Sequence, residues 1–242
     1  MHGPDVLFDT PEESKLQLDR AGIGHIAACF YSHWHPDHTM GRRVFETRNG
    51  DFRTWPREAK RQLVTDVYLP EQVAADFRVR LGGMDHLEFM QMRGWIRVHE
   101  LRDGESILVG DVEIRPFRLA ESYVYAFELE ERGRKLVLAM DELNGWVPPP
   151  GLHGADLAVL PMGICEFDPF TRERRIHPDH PVLVYEATFA ETLEIVERLE
   201  ARHIVLAHIE EIDGLGYDDL LRLQESLDSD VTFAYDGFSV EV

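Results

Sequence analysis

One tract of seven residues, Ser32-His33-Trp34-His35-Pro36-Asp37-His38, constrains this chain more than any other feature. It sets three imidazoles and a carboxylate at positions i, i+2, i+4 and i+5. Neutral imidazole nitrogens and carboxylate oxygens are the ligands that Zn²⁺, Mn²⁺ and Fe prefer, and so dense a set can divide between two ions. The preceding segment, Ile26 to Tyr31, is a continuous apolar run next to Gly22 and Gly24. It is too short for a typical helix and reads as a buried strand. The donors therefore follow directly on an element of the core.

Composition narrows the class. The chain has 242 residues, of which 44% are hydrophobic, so it can bury a real core as one large domain or two small ones. Two cysteines, Cys29 and Cys165, cannot make a disulfide scaffold. No apolar run approaches the ~20 residues that cross a bilayer, and the start, Met-His-Gly-Pro-Asp, lacks the regions of a signal peptide. A cytoplasmic protein with no membrane partner is expected. Against 25 basic residues stand 45 acidic ones, and the net charge of −20 repels polyanions at long range. A nucleic acid polymer is thus a poor partner, and a small-molecule substrate a better one.

Along the chain, Val6-Leu7-Phe8 reads as a strand ending in Asp9-Thr10-Pro11, and Glu12 and Glu13 open a helix that runs to Gly22. Residues 42–66 are charged and irregular, and read as an excursion above the core, a lid. Val67–Leu69 is a short strand. Helices are expected from Pro70 to about Leu81 and near Met84–Met92. From Ile96 the pattern becomes a meander of short strands at 96–101, 106–109, 112–118, 122–129 and 134–140. A strand at Leu157–Leu160, a loop over 161–185, a helix over 188–201, a strand at Ile204–Ala207, a helix over 217–227 and a C-terminal hairpin complete the reading. There is no internal repeat or linker, so 1–242 reads as a single α/β domain, two sheets with helices outside.

In this setting the motif His33-X-His35-X-Asp37-His38, preceded by a strand ending in Asp9-Thr10, resembles the metallo-β-lactamase superfamily. Lys135-Leu-Val-Leu-Ala-Met-Asp141 is similar to that family's strand ending in a metal-bridging aspartate, and Ile204-Val-Leu-Ala-His208-Ile to its late strand ending in the last histidine ligand. The resemblance implies a four-layer αββα sandwich of two mainly mixed β-sheets with outer helices. It also implies two divalent ions per chain, zinc or manganese or iron. His33 and His35 would hold the first, Asp37, His38 and His208 the second, with Asp141 between them. A hydroxide bridging the two ions would be the nucleophile, and Asp37 could also orient it.

Three positions depart from the family pattern. Its further histidine ligand falls here on Glu121, where a carboxylate either ligates, tilting preference toward Mn²⁺ or Fe²⁺, or is a mere strand-end residue. Where phosphodiesterase-like members carry a histidine that assists the leaving group, this chain has Glu186. His177 and His180 lie close in sequence, and His180 is the expected substitute. Finally, family members open with a further strand or two before the Asp-Thr strand, which here begins five residues in. Either the first sheet is trimmed or translation starts upstream of an internal methionine, and a second copy of the chain in a homodimer could cover a bared edge.

His35 argues against the oxygen-reducing di-iron members, which have a glutamate there. The Leu-Ala-Glu-Ser stretch at 119–122 looks like the branch of cyclic-phosphate phosphodiesterases and RNase Z. The expected function is hydrolysis of a small phosphodiester, a cyclic phosphate or nucleotide-like compound. Hydrolysis of an ester or lactone, and metal binding with decayed catalysis, are the alternatives. Arg172, Arg174 and Arg175, the one basic cluster, could meet a phosphate or simply be solvated.

Overall fold

The computed structural model describes residues 4–50, 53, 63–227 and 230–242. The chain divides into two compact units, Met1–Asp111 and Val112–Val242.

The first unit is built on a parallel sheet in the order β1-β2-β3-β4, formed by Val6–Phe8, Ala28–Phe30, Thr65–Pro70 and Ile96–Leu101. Its central strands bury apolar residues on both faces, as strands covered on both sides do. Ala28, Cys29, Phe30, Val67 and Leu69 are all buried. Helices supply the crossovers that parallel pairing demands: α1 (Ser14–Arg20) between β1 and β2, and α4 (Glu71–Val79) with α5 (Gly83–Met92) between β3 and β4. Val73, Phe77, Leu87 and Met90 bury the inner faces of the last two.

Two expectations change in this unit. The strand at 96–101 is no part of a meander. It pairs in parallel with β3 from Thr65↔Ile96 to Pro70↔Leu101, because two helices intervene between these strands and no tight turn can join them. The expected lid over 42–66 begins with structure packed on the core: Met40–Arg43 forms a 3-10 turn and Val44–Asn49 a helix, α3, with α2 (Pro36–Thr39) before them. Phe45 is fully buried, and the Asn49 amide donates to Trp95 O at 2.7 Å and Thr65 Oγ1 at 2.9 Å. Residues 51, 52 and 54–62 of the expected lid lie outside the described residues. A last short strand, β5 (Ile107–Val109), closes the unit.

In the second unit, β6 (Val112–Arg118), β7 (Tyr125–Glu131) and β8 (Arg134–Leu138) are antiparallel neighbours, and β9 (Leu157–Pro161), β10 (Ile204–Ala207) and β11 (Val231–Phe233) continue the sheet in parallel in the order β11-β10-β9-β8-β7-β6. Helix α6 (Val182–Tyr185) precedes α7 (Phe189–Leu199), whose Ile195, Val196 and Leu199 enter the core at helical spacing. Helix α8 is Tyr217–Glu225. The expected C-terminal hairpin is instead the single strand β11, in parallel register with β10 from Ile204↔Val231 to Leu206↔Phe233. Helix α8 lies between β10 and β11 in sequence and makes the crossover, and residues 234–242 after β11 carry a turn and no second strand to pair with it. Two sheets, one parallel and one mixed, with their helices, make this an α/β protein.

Candidate metal centre

The first group of donors arises where β1 and β2 end. Their register, Phe8↔Phe30, sets the residues after Phe8 beside those after Phe30, at the carboxyl ends of parallel strands, where α/β folds collect ligands. Asp9 leaves the sheet with φ 57°. Its backbone N–H donates to Phe30 O at 2.9 Å, Thr10 N–H to His38 O at 2.7 Å, and Gly41 N–H to Thr10 O at 2.8 Å. The histidine loop is thereby stitched to the β1 end. Gly41 is obligatory in this seam, since a Cβ there would stand 1.9 Å from Pro11 O.

The buried Asp9 carboxylate organises the loop. Oδ1 accepts from Ser32 N–H at 2.7 Å, and Oδ2 accepts from Ser32 Oγ at 2.6 Å and from His38 Nδ1 at 2.8 Å. Ser32 has one hydroxyl proton and gives it to Asp9, so its oxygen accepts from His33 Nδ1, 2.9 Å away. Both imidazoles are thus set with the proton on Nδ1 and the lone pair on Nε2, the arrangement a metal-binding histidine needs. Ligand atoms of Asp9, His33 and His38 lie within 4.8 Å of one another. The His33 ring centroid is 4.5 Å from that of His35 and 4.3 Å from that of His38, and Asp37 Oδ2 lies 3.2 Å from His38 Nε2. His33, His35, Asp37 and His38 therefore lie close together in this loop. Trp34 flanks them, edge-on to His35 and capped by the Arg80 guanidinium at 4.6 Å.

The second group forms where β8, β9 and β10 end on the same side of their sheet. The registers Leu138↔Val159, Leu206↔Leu160 and Ala207↔Pro161 place Asp141, Gly163 and His208 just past neighbouring strand ends. With Glu142, Glu186 and Glu210 they line an open cleft, among whose described lining residues there is no lysine or arginine. Gly163, at φ 76°, forms its wall because a Cβ would approach Ala187 O to 2.7 Å. Asp141 is buried, accepts from Glu142 N–H at 2.8 Å, and has Oδ1 3.7 Å from His208 Nε2. On the other side of that ring, Nδ1 lies 3.2 Å from Glu210 Oε1, which leaves Nε2 on the Asp141 side. His208 and Glu142 hold left-handed backbone, φ 47° and 52°.

Glu142 is 5% exposed, with one carboxylate oxygen accepting from Tyr123 Oη at 2.7 Å and an oxygen within 4.8 Å of one of Asp141. Burial first, then the nearby charges of Asp141, Glu186 and Glu121, push its pKa up to about 7. Burial first, then the hydrogen bond to Glu142 and the charges of Glu142, Glu121 and Asp141, raise the Tyr123 hydroxyl. Glu121 itself lies in the turn between β6 and β7, where its carbonyl accepts from Val124 N–H at 3.0 Å. Among the described residues it joins no group of three close ligand atoms. His180 is exposed, its Nδ1 accepting from Val182 N–H at 3.1 Å at the start of α6, and the cleft lining has Glu186 and not His180. His177 is exposed on the same loop. The basic cluster is partly spoken for, since Arg174 pairs with Glu166 and lies over the Phe167 ring at 4.4 Å.

Imidazoles with a fixed tautomer together with carboxylates are a donor set that fits divalent ions. Neither thiol competes as a nucleophile: burial raises Cys29 well above its ordinary range and pushes Cys165 up to about 12. Spacing alone did not reveal the work of Asp9, Glu142 and Glu210. Asp9 stands 23 residues from Ser32 and 29 from His38 in sequence. Only the pairing of two short strands brings it there.

Residues 3–209 match a family model described as Beta-lactamase superfamily domain. No curated protein sequence matches the chain. Among solved structures, a diphosphatase from the PhnP family is similar over 98% of this chain and 79% of its own, at 21% identity and a TM-score of 0.71. The metallo-β-lactamase fold protein YhfI from Bacillus subtilis is similar over 96% and 85%, at 15% identity and 0.63. Zn²⁺-bound PqqB from Methylobacterium extorquens is similar over 98% and 82%, at 13% identity and 0.59.

Proposed function

Because this chain belongs to the metallo-β-lactamase superfamily, whose members are generally metal-dependent hydrolases, we propose that it hydrolyses a small phosphodiester, a cyclic phosphate or nucleotide-like compound, with two divalent ions. The ligands we propose are those that the family resemblance implies: His33, His35, Asp37, His38, Asp141 and His208. Bound there, zinc, manganese or iron would supply a hydroxide nucleophile at neutral pH and offset charge developing on the substrate.

The chain's own part is preparation of the donors. Asp9 and Ser32 hold the Nδ1 protons of His38 and His33, so both rings would offer Nε2 to an ion without a change of tautomer. Glu210 does the same for His208. Asp37, the most exposed of the first group, is the carboxylate able to orient the attacking water. The observation that carries the reading is this single buried carboxylate fixing two imidazoles of the His33–His38 motif. The likeness to a diphosphatase supports phosphorus–oxygen chemistry, and the net charge of −20 limits the substrate to small ones.

The test is the metal content of protein purified without added metal, together with its activity on an aryl phosphodiester in Mn²⁺, Zn²⁺ and Fe²⁺. About two ions per chain and turnover that falls to background in His35→Ala are expected. Bound metal with no diesterase activity in any of the three would overturn the reading.

A further inference from the structure

We propose that Glu142, and not Glu121, is the carboxylate that takes the place of the missing histidine donor, and that the Tyr123 hydroxyl positions it. The inference rests on the metal-dependent reading above and names one more of its ligands.

Position is the first argument. Glu142 follows Asp141 directly, lines the same cleft as Asp141 and His208, and brings an oxygen within 4.8 Å of an Asp141 oxygen. Glu121 belongs to no such group among the described residues. Chemistry is the second. Glu142 is a carboxylate 5% exposed among other acids, Asp141, Glu186 and Glu121, and burial of negative charge is costly. A divalent cation would offset that charge, and carboxylate oxygen is a ligand that Zn²⁺, Mn²⁺ and Fe²⁺ all accept. Orientation is the third. Tyr123 Oη donates to Oε2 at 2.7 Å, as the outer partners of ligating carboxylates do. A phenol offers one O–H and a carboxylate oxygen accepts, so the hydrogen bond has a fixed direction.

Calorimetric titration of the metal-free protein with Mn²⁺ and Zn²⁺ tests this, with the visible spectrum of the Co²⁺ form as a second readout. In Glu142→Gln, whose amide oxygen still accepts from Tyr123, one of two binding events should weaken by at least about tenfold, and the Co²⁺ spectrum should change. Glu142→Asp, which keeps the charge and shortens the reach, should fall between. Tyr123→Phe should weaken the same event while the metal-free unfolding midpoint shows that the fold persists. Glu121→Gln should bind as the parent does. Parent-like binding by Glu142→Gln, or a loss confined to Glu121→Gln, overturns the assignment. So does a parent protein that binds no metal, which also ends the hydrolase reading. A parent that binds two ions but hydrolyses no diester ends the phosphodiester reading alone, and the Glu142 comparison still decides the ligand.

Discussion

At the scale of single residues, Asp9 does more than its place in the sequence announces. Its two oxygens meet three donors, Ser32 N–H, Ser32 Oγ–H and His38 Nδ1–H. Asp9→Asn keeps one acceptor and replaces the other with an amide that only donates. The nitrogen then faces His38 Nδ1, which must accept, and the ring proton moves to Nε2, the atom assigned to the metal. Metal affinity should fall by about 10–100-fold, and stability by about 1–3 kcal/mol, since a buried network loses a member. Titration calorimetry and denaturant unfolding measure the two. An unchanged affinity would show that Asp9 is structural only. The four donors of the histidine motif were legible in the sequence because they are local. Asp9, the partner of the His38 outer nitrogen, and Glu210, beside the outer nitrogen of His208, were not. Asp9 acts across a strand pairing, and Glu210 turns back on His208 through a left-handed bend that no residue type demands.

Among the elements, α7 shows how a helix end shapes the cleft. Thr188 and Glu191 form a capping box: Thr188 N–H donates to Glu191 Oε2 at 2.8 Å, and Glu191 N–H to Thr188 Oγ1 at 3.3 Å. The same turn bridges to the cleft wall, with Phe189 N–H donating to Ile164 O at 2.9 Å. Thr188→Ala should cost about 1 kcal/mol, read as a lower midpoint in urea, with metal stoichiometry unchanged. A midpoint equal to the parent's would mean that the cap is redundant. This helix was readable from its periodicity over 188–201. Helix α3 was not, because six residues bracketed by arginines carry too little pattern, and Arg42, buried though charged, hides the packed face. Strands were found by their turns, but the sheet each joined was not. Residues 96–101 and 231–233 carry the composition of meander or hairpin strands and pair in parallel, a choice made by the helices between them.

For the whole molecule, charge is the property with the clearest physical consequence. Forty-five acidic residues against 25 basic ones give −20, and like charges at that density oppose compaction. Metal-free protein should therefore unfold at a higher temperature in ~0.15 M salt, where the Debye length is about 8 Å, than in ~0.01 M, where it is about 30 Å. A midpoint that falls with added salt would mean that attractive pairs such as Arg97–Asp66 outweigh the repulsion. The fold class was legible because four separated motifs recur in order along the chain. The division into a parallel and a mixed sheet was not, because a strand's composition does not record its partner.

Asp9, Glu142 and His208 all sit in left-handed backbone, a conformation that costs a residue with a β-carbon about 1–2 kcal/mol. Under the metal-dependent reading proposed above, folding and metal holding would thus make opposed demands at these three points. A lineage released from its chemistry would gain robustness by drifting to glycine there. A lineage still under selection would keep the strained side chains, so the residues standing at these three positions in related sequences record whether the activity has been retained.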